Sequence, residues 1–294
     1  MTELETNGMT IAFLGAGQMG TPMASRLIGD GFNVRVWNRT KDRLTKLVEL
    51  GATMAATPAL AATGADVVIT MLPDGSTTES VMEGPDGALA TLASGSLWLQ
   101  MGTVGIDWTE SLRNLSTGGN VIFVDAPVSG SVIPAAKGEL LILASGPDTS
   151  HALAERIFGV LGRHTFWLGD AGAGSRAKLV LNNWLADLVE LVAESLNISS
   201  ALGLDPGHIV DILAEAPIGS PYAVAKARGM LEGDFSSSFA LKHAFKDASL
   251  ALDAARSVNQ ELRLTESLMP TWERAMADGA GDFDVSVVYR YAVA

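Results

Sequence analysis

FLGAGQMGTPMASRL, residues 13–27, places glycines at positions 15, 17 and 20 in a G-x-G-x-x-G spacing. The spacing alone is a weak signal, because the chain has 31 glycines in 294 residues and a turn with incidental glycines would also produce it. An apolar run over residues 9–15 predicts a buried strand before the glycines, and residues 18–30 predict a helix after them. A glycine-rich turn from strand to helix is typical of loops that hold the pyrophosphate of a dinucleotide.

The three glycines have separate roles in such a loop. Gly15 permits the tight turn, Gly17 lets the backbone approach the pyrophosphate, and Gly20 allows the helix to pack closely on the strand. The N–H groups and the partial positive charge of the helix N-terminus attract the phosphates. We therefore predict a dinucleotide cradle whose cofactor-binding residues include Gly15, Gly17, Gln18, Met19 and Gly20.

The end of the next predicted strand, NVRVWN at residues 33–38, indicates which dinucleotide is bound. A site for NAD carries Asp or Glu here to hold the ribose diol, and such a carboxylate would repel the 2′-phosphate of NADP. This chain has Asn38, Arg39 and Thr40 instead. A guanidinium can bind a phosphate through two hydrogen bonds, and a hydroxyl can donate another. The strand end predicts NADP(H) in preference to NAD(H), unless Arg39 is only a solvated arginine on a turn.

The first half of the chain continues this alternation of strands and helices. Strands followed by helices of this length predict βαβ units and a doubly wound, mostly parallel α/β sheet. After residue 169 the pattern is entirely helical and starts with a long proline-free stretch over residues 172–201. The remaining strands of the first half are predicted at residues 66–72, 97–102, 120–130, 139–146 and 164–169.

The change of pattern near residue 165 predicts two domains behind a loose tail at residues 1–8. Residues 9–168 are expected to form the NADP-binding domain. Residues 169–294 are expected to form an all-helical domain for substrate binding and dimerisation. The long helix begins this second domain and is predicted to run along the junction.

The composition excludes several classes of function. The chain has no cysteine, and its four scattered histidines lack a zinc-binding spacing, so no metal site is predicted. A net charge of −13 argues against a nucleic-acid-binding surface. No segment approaches the roughly 20 uninterrupted apolar residues of a membrane-spanning helix, and the acidic start MTELETNGMT is unlike a secretory signal. We expect a cytoplasmic protein that binds neither nucleic acid nor a membrane.

The reaction chemistry is predicted to come from GAGSRAKLVLNN, residues 172–183. Lys178 and Asn182 lie four residues apart in the first turns of the long helix, so both project from the same face. A lysine ammonium can donate a proton to an oxygen that gains negative charge, and Asn182 could orient that lysine or a substrate hydroxyl. The alternative is a surface lysine followed by an asparagine with a capping or packing role.

DAPVSGS, residues 125–131, is a candidate for substrate binding. The segment ends a predicted strand, and ligands of open α/β sheets bind beyond the carboxyl ends of the strands. Ser129, Gly130 and Ser131 offer hydroxyl and backbone N–H groups that suit a carboxylate. An ordinary Gly/Ser turn is the alternative interpretation.

FALKHAFKD, residues 239–247, places Lys242 and Lys246 four residues apart on one helix face. That face is basic in an otherwise acidic protein, and it is either a binding surface or merely a solvated charged face.

The four histidines have no partner motif and are interpreted as structural. Three apolar residues of the long helix are interpreted as core or dimer contacts rather than as a stack against the cofactor: Trp184, Leu188 and Leu191.

Together these motifs resemble the β-hydroxyacid dehydrogenase family, which includes 3-hydroxyisobutyrate dehydrogenases and glyoxylate/succinic semialdehyde reductases. The glycine loop, WNRT, DAPVSG, the GxGxxxKxxxN run and the KD segment occur in the order of that family, and the resemblance extends from residue 9 to about residue 290. APVSGSVIPAAKGELLILASG and FALKHAFKD are most similar to the semialdehyde reductase branch. The resemblance implies an N-terminal Rossmann-type domain, a helical C-terminal domain and a cleft between them. It also implies reversible hydride transfer between a nicotinamide and a small β-hydroxyacid or its semialdehyde.

The resemblance also implies roles for individual residues. Lys178 matches the catalytic lysine of the family, and Asn182 matches its partner asparagine. Ser129 and Gly130 match the loop that binds the substrate carboxylate, and Lys246 matches a second lysine near substrate and cofactor. Three more residues match positions that line the cofactor: Leu72, Pro73 and Thr103.

Two segments depart from the family pattern. The usual D-x-S-T is Gln100-Met101-Gly102-Thr103 in this chain, so an acidic residue and a serine hydroxyl are missing where a change can shift substrate preference. Pro134 stands where many members carry glycine. The related imine reductases usually have another residue in place of Lys178, so the lysine favours a carbonyl substrate.

The sequence therefore predicts an NADPH-dependent reductase of a small anionic carbonyl compound of the semialdehyde or glyoxylate type. Lys178 is the proton donor, and in the reverse direction the acceptor. A homodimer or homotetramer is expected. Two alternatives stay open: an imine reductase of the same fold, and a non-catalytic NADP-binding module, against which Lys178 and Asn182 argue.

Overall fold

The computed structural model describes residues 8–292 of the chain. These residues form two compact units, one ending at Lys178 and the other starting at Leu179. Each unit has its own cluster of buried apolar side chains. The tail predicted at residues 1–8 lies outside the described residues except for Gly8.

The sheet of the first unit has six strands: β1 (Thr10–Leu14), β2 (Asn33–Trp37), β3 (Thr53–Met54), β4 (Val67–Thr70), β5 (Leu97–Gln100) and β6 (Ile122–Asp125). Every neighbouring pair is parallel, and the order across the sheet is β3-β2-β1-β4-β5-β6. The strand order therefore reverses between β1 and β4. This is the doubly wound Rossmann order, whose ligands bind beyond the carboxyl ends of the strands at that reversal. The predicted fold class is confirmed.

The strands are apolar because helices pack on the sheet and remove it from water. All residues of β1 and of β4 are buried, as expected for a parallel sheet that is covered on both faces. The two-residue β3 is too short to show a sequence pattern and was therefore not predicted. The helices of the first unit are α1 (Gly20–Gly29), α2 (Thr45–Glu49), α3 (Pro58–Ala62), α4 (Gly75–Glu83), α5 (Ile106–Gly118), α6 (Val132–Lys137) and α7 (His151–Leu161).

A second, three-stranded sheet contains β7 (Val128–Ser129), β8 (Leu140–Ala144) and β9 (Gly162–Trp167). The strand β7 is antiparallel to β8, and β9 is parallel to β8. The run predicted as one strand over residues 120–130 is thus two strands in different sheets. The main sheet ends at Asp125, whose backbone forms a bridge with Ser145, and the chain continues into the small sheet.

The helix α8 (Ala173–Ala201) contains the boundary between the two units. The second unit continues with α9 (Pro206–Glu215), α10 (Pro221–Glu232), α11 (Leu241–Ser257) and α12 (Arg263–Ala277). Asp205 and Ser220 cap α9 and α10, and the following proline occupies the first turn of each helix. The core of this unit includes Val189, Leu241 and Trp272, all fully buried.

Two of the three apolar residues singled out in the long helix lie at the surface. The exposed fraction is 72 % for Trp184 and 58 % for Leu191, so these two do not belong to the core of the chain, and the alternative of dimer contacts stays a prediction. Leu188 is partly buried and packs against the core of the second unit.

Within residues 8–292 no helix is long and apolar enough to cross a membrane. A cytoplasmic location stays a prediction.

Candidate active site

Two glycines of the loop between β1 and α1 occupy positions that exclude a side chain. Gly15 has a φ of +110°, and a Cβ there would lie 2.4 Å from the carbonyl oxygen of Met71, which follows β4. A Cβ at Gly20 would lie 1.8 Å from the carbonyl oxygen of Gly15. Both glycines are therefore required by close backbone packing, one at the turn and one at the first residue of α1.

Gly17 differs from its two neighbours, because a Cβ built there would meet no atom within 4 Å. The loop is therefore open to an approaching ligand at this position. Met19, the N-cap residue of α1, makes no capping hydrogen bond with its side chain. An open glycine turn before an uncapped helix N-terminus suits a pyrophosphate, so the residues present fit a bound dinucleotide. Gln18, between them, is exposed.

Asn38 connects the glycine loop to the end of β2. Its side-chain oxygen accepts a hydrogen bond from the N–H of Ala16 at 3.1 Å, and its side-chain nitrogen donates to the carbonyl of Thr40 at 2.8 Å. The asparagine therefore supports both the loop and the turn that carries Arg39. The side chains of Arg39 and Thr40 are exposed and accessible to a ligand.

The loop after β5 is organised by Gln100, a buried residue. Its amide accepts from Thr70 Oγ1 at 3.0 Å and from the N–H of Gly102 at 3.2 Å, and it donates to the carbonyl of Gly102 at 2.8 Å. A Cβ at Gly102 would lie 2.6 Å from the carbonyl oxygen of Leu72. Glycine is therefore needed where the family pattern has serine, because Leu72 and this loop pack backbone to backbone. Thr103 is half-buried, and Pro73 is exposed.

Ser129 is the last residue of β7, and Gly130 and Ser131 connect it to α6. Gly130 has a φ of +135°, and a Cβ there would lie 2.8 Å from Leu140 and 3.3 Å from Pro134. Ser131 is the N-cap residue of α6 and makes no side-chain cap hydrogen bond. The turn has a defined backbone shape and carries two hydroxyl groups.

The first turn of α8, which precedes the turn that carries Lys178, is attached to the end of β6. Asp125 is fully buried, and its carboxylate accepts from the N–H and from the Oγ of Ser175, both at 2.7 Å. Ser145, which follows β8, donates to Asp125 at 3.2 Å and accepts from the N–H of Gly174 at 2.9 Å. Burial raises the pKa of Asp125 above its usual value, although the hydrogen bonds from Ser175 and Ser145 act in the opposite direction. Lys178 itself is half-buried, one turn beyond Ser175.

Asn182 belongs to a hydrogen-bonded cluster in the second unit. Its side-chain nitrogen donates to Asp247 Oδ2 at 2.6 Å, and Lys246 Nζ lies 2.6 Å from Asp247 Oδ1. The carboxylate of Asp247 is almost fully buried and joins the two predicted site residues. This role of Asp247 is not predicted from the sequence, where the only signal is its position next to Lys246.

The basic face predicted on α11 is largely neutralised by acidic partners. Lys242 Nζ lies 2.5 Å from Asp282, and Lys246 pairs with Asp247. His243 lies between the two lysines, and its pKa is lowered mainly by burial and, to a smaller extent, by the charge of Lys242.

Another histidine, His151, stacks on Trp167 with ring centroids 3.6 Å apart. Among residues 8–292 no group of three or more His, Cys, Asp or Glu side chains could hold a metal ion.

Two protein-family models match consecutive parts of the chain. Residues 10–169 match the family model of the NAD-binding domain of 6-phosphogluconate dehydrogenase. Residues 172–292 match the model described as the NAD-binding domain of NADP-dependent 3-hydroxyisobutyrate dehydrogenase.

Two relatives from Arabidopsis thaliana are similar over nearly the full chain. Glyoxylate/succinic semialdehyde reductase 2, chloroplastic, is 33 % identical over 98 % of this chain and 80 % of its own length. Glyoxylate/succinic semialdehyde reductase 1 is 32 % identical over 95 % of this chain and 97 % of its own. Among solved structures, 3-hydroxyisobutyrate dehydrogenase of Mycobacterium tuberculosis with L-serine superimposes with a TM-score of 0.87 at 28 % identity, over 97 % of this chain and 99 % of that one. The chain therefore belongs to the 3-hydroxyisobutyrate dehydrogenase family of NAD(P)-binding oxidoreductases.

Proposed function

We propose that this protein is an NADPH-dependent reductase that reversibly converts a small carboxylate-bearing aldehyde or ketoacid, of the semialdehyde or glyoxylate type, to the hydroxyacid. The observation that carries the proposal is the attachment of the α8 first turn to the carboxyl end of β6, which holds Lys178 in the same unit as the open glycine loop. The names of the two plant relatives support this substrate class.

The residues of the chain have complementary roles in this proposal. NADPH, when bound, supplies the hydride that adds to the carbonyl carbon. Lys178 donates a proton to the carbonyl oxygen as negative charge develops there, and it accepts the hydroxyl proton in the reverse direction. Ser129, Gly130 and Ser131 bind the substrate carboxylate through hydroxyl and N–H groups, which orients the carbonyl for attack.

We propose that the glycine loop, Asn38, Arg39 and Thr40 hold NADPH, together with Leu72, Pro73, Thr103 and Lys246. Asn182 and Lys246 are the proposed contributions of the second unit to substrate binding, and their shared partner Asp247 fixes both side chains. In this proposal residues 9–168 form the cofactor domain and residues 169–294 the domain for substrate binding and dimerisation.

An NADPH-oxidation panel tests the proposed reaction. The substrates are glyoxylate, the succinic, methylmalonic and tartronic semialdehydes, and a cyclic imine. Turnover of one or more of the carbonyl acids, with little or no turnover of the imine, is the expected result. Turnover of the imine alone would indicate an imine reductase, for which the altered loop at residues 100–103 is the structural reason. Tight binding of NADPH without any turnover would identify a non-catalytic binding module and overturn the proposal.

The preference for NADPH predicts a selective effect of Arg39→Ala. Losing a charged hydrogen bond to the 2′-phosphate costs about 1.5–3 kcal/mol, so KM for NADPH should rise roughly 10- to 100-fold. KM for NADH should stay within about twofold, because NADH has no 2′-phosphate. Arg163→Ala, at another exposed arginine of the same unit, is the matched control and should leave both values unchanged. A wild-type preference for NADH that survives in Arg39→Ala would contradict the proposed binding of the 2′-phosphate by Arg39.

A homodimer or homotetramer is part of the proposal, supported by one stripe of exposed apolar residues on α8. Val180, Trp184, Leu191 and Ile198 have exposed fractions between 57 % and 72 %. Their spacings of four, seven and seven residues place them along a single face of the helix. Sedimentation velocity should show an oligomer for the wild type and smaller species for Trp184→Glu combined with Leu191→Glu. A monomeric wild type would contradict this part of the proposal.

A further inference from the structure

The capping of α8 differs from that of other helices in the molecule. Thr57 caps α3, and Asp74 caps α4; each accepts from an N–H only three residues further along the chain. Such caps are local, because the capping residue directly precedes the helix that it stabilises. The cap of α8 comes from Asp125, a residue 50 positions earlier, at the end of β6. The hydrogen bonds therefore determine where α8 starts relative to the main sheet.

The attachment involves four side chains, which we name the α8 clamp: Thr109, Asp125, Ser145 and Ser175. All four are buried. Thr109, on α5, lies 2.9 Å from Ser175 through the hydroxyl oxygens, and Ser145 connects Asp125 to the N–H groups of Gly172 and Gly174. The clamp thus joins the first turn of α8 to β6, to α5 and to the end of β8. A buried carboxylate is costly unless it is fully hydrogen-bonded, so its use here in place of an exposed cap calls for a specific role.

We propose that the α8 clamp is a positioning device for Lys178, with Asp125 and Ser175 as positioning residues for the reaction. The proposal rests on the proposed function, in which Lys178 transfers the proton. Ser175 and Lys178 are three residues apart and so lie on the same helix face. Loss of the hydrogen bonds at Ser175 would therefore allow the turn that carries the lysine to rotate or shift. A displacement of about 1 Å at a reacting group can lower the rate by about 10²-fold.

If the α8 clamp positions Lys178, substitutions in the clamp should lower kcat because they displace the lysine. Ser175→Ala should lower kcat for the best substrate of the panel by roughly 10-fold, and Asp125→Asn by roughly 10- to 100-fold. The dissociation constant of NADPH should stay within about twofold, because neither residue belongs to the glycine loop. The solvent deuterium isotope effect on kcat should increase in both variants, because proton transfer becomes slower relative to the other steps. Thr57→Ala removes a helix cap of the same unit that is unrelated to Lys178, and it should change neither kcat nor the isotope effect.

A double-mutant cycle separates positioning from a merely structural role. In the Lys178→Met background, Ser175→Ala should change kcat by less than about twofold, because the group that it positions is absent. If the two substitutions multiply instead, and the isotope effect of Ser175→Ala equals that of the wild type, the clamp does not act through the lysine and the inference is wrong. If Lys178→Met retains full kcat, the proposed function fails first. The two failures are therefore distinguishable.

Discussion

Lys178→Met is expected to lower kcat for reduction of the preferred carbonyl acid by about 10²- to 10⁴-fold, the usual contribution of a positioned general acid. Methionine preserves much of the length and apolar stem of lysine but has no proton to donate. Affinity for NADPH should stay within about threefold, because the glycine loop and the end of β2 are unchanged. Initial rates of NADPH oxidation and a fluorescence titration of NADPH measure the two effects separately.

A matched lysine on the surface controls for loss of positive charge. Lys46 is exposed on α2 of the same unit, and Lys46→Met should keep the kcat of the wild type. Full activity in Lys178→Met would contradict the role of this residue in proton transfer. Equal losses in both variants would show that net charge, and not a specific donor, had been measured.

The second large effect is expected at the buried ion pair of the second unit. Lys226 Nζ lies 2.6 Å from Asp284 Oδ1, and the exposed fractions of the two side chains are only 9 % and 4 %. Asp284 also accepts from the N–H and Oγ groups of Ser238 and Ser286 and from the N–H of Phe239. The pair thereby joins α10, the segment before α11 and the 3₁₀ helix at Val285–Arg290.

Asp284→Asn should lower the free energy of unfolding by about 3–5 kcal/mol, because it leaves the Lys226 ammonium buried without its counter-charge. Urea denaturation followed by circular dichroism at pH 7 measures the change. Glu261→Gln breaks the exposed pair with Arg263 and is the matched control, with an expected change of no more than about 0.5 kcal/mol. A change at Asp284 as small as that at Glu261 would show that the buried pair does not stabilise the fold.

The contribution of Asp284 should also depend on pH. Burial by itself would raise the pKa of this carboxyl group, but the hydrogen bond and charge of Lys226, together with the hydrogen bonds from Ser286, outweigh it and lower the pKa to about 2. The usual value of 3.8 applies to the unfolded chain. A lowered pKa stabilises the folded state above about pH 4, and that stabilisation is lost as the pH falls from 4 to 2. The difference in stability between wild type and Asp284→Asn should therefore shrink over this range, and a constant difference would contradict the assigned cause.

The elements around the glycine loop could be predicted because their signals are local. Residues 9–15, 18–30 and 33–38 contain β1, α1 and β2, which the structure places at Thr10–Leu14, Gly20–Gly29 and Asn33–Trp37. Apolar runs and glycine spacing determine such elements from a few adjacent residues. The long helix, predicted over residues 172–201, is observed at Ala173–Ala201 for the same reason.

The connections between these elements could not be predicted in the same way. In the sequence, Asp125 is only the first residue of DAPVSGS, and Asp247 is only the residue that follows a lysine. Their roles depend on hydrogen bonds to Ser175 and Asn182, which are 50 and 65 positions away in the chain. No local pattern specifies which distant donor meets a carboxylate, because that depends on how whole elements pack.

The sequence by itself determined the doubly wound fold, the glycine loop and membership of an oxidoreductase family, since strand and helix periodicity and motif order are properties of the chain. Only the tertiary structure decided that Gly102 must lack a side chain beside the Leu72 carbonyl, and that Trp184 is exposed. It also decided that the first turn of α8, just before Lys178, is attached to the main sheet through Asp125. The physical reason is the same in each case: steric exclusion, burial and a buried hydrogen bond exist only between groups that folding brings together.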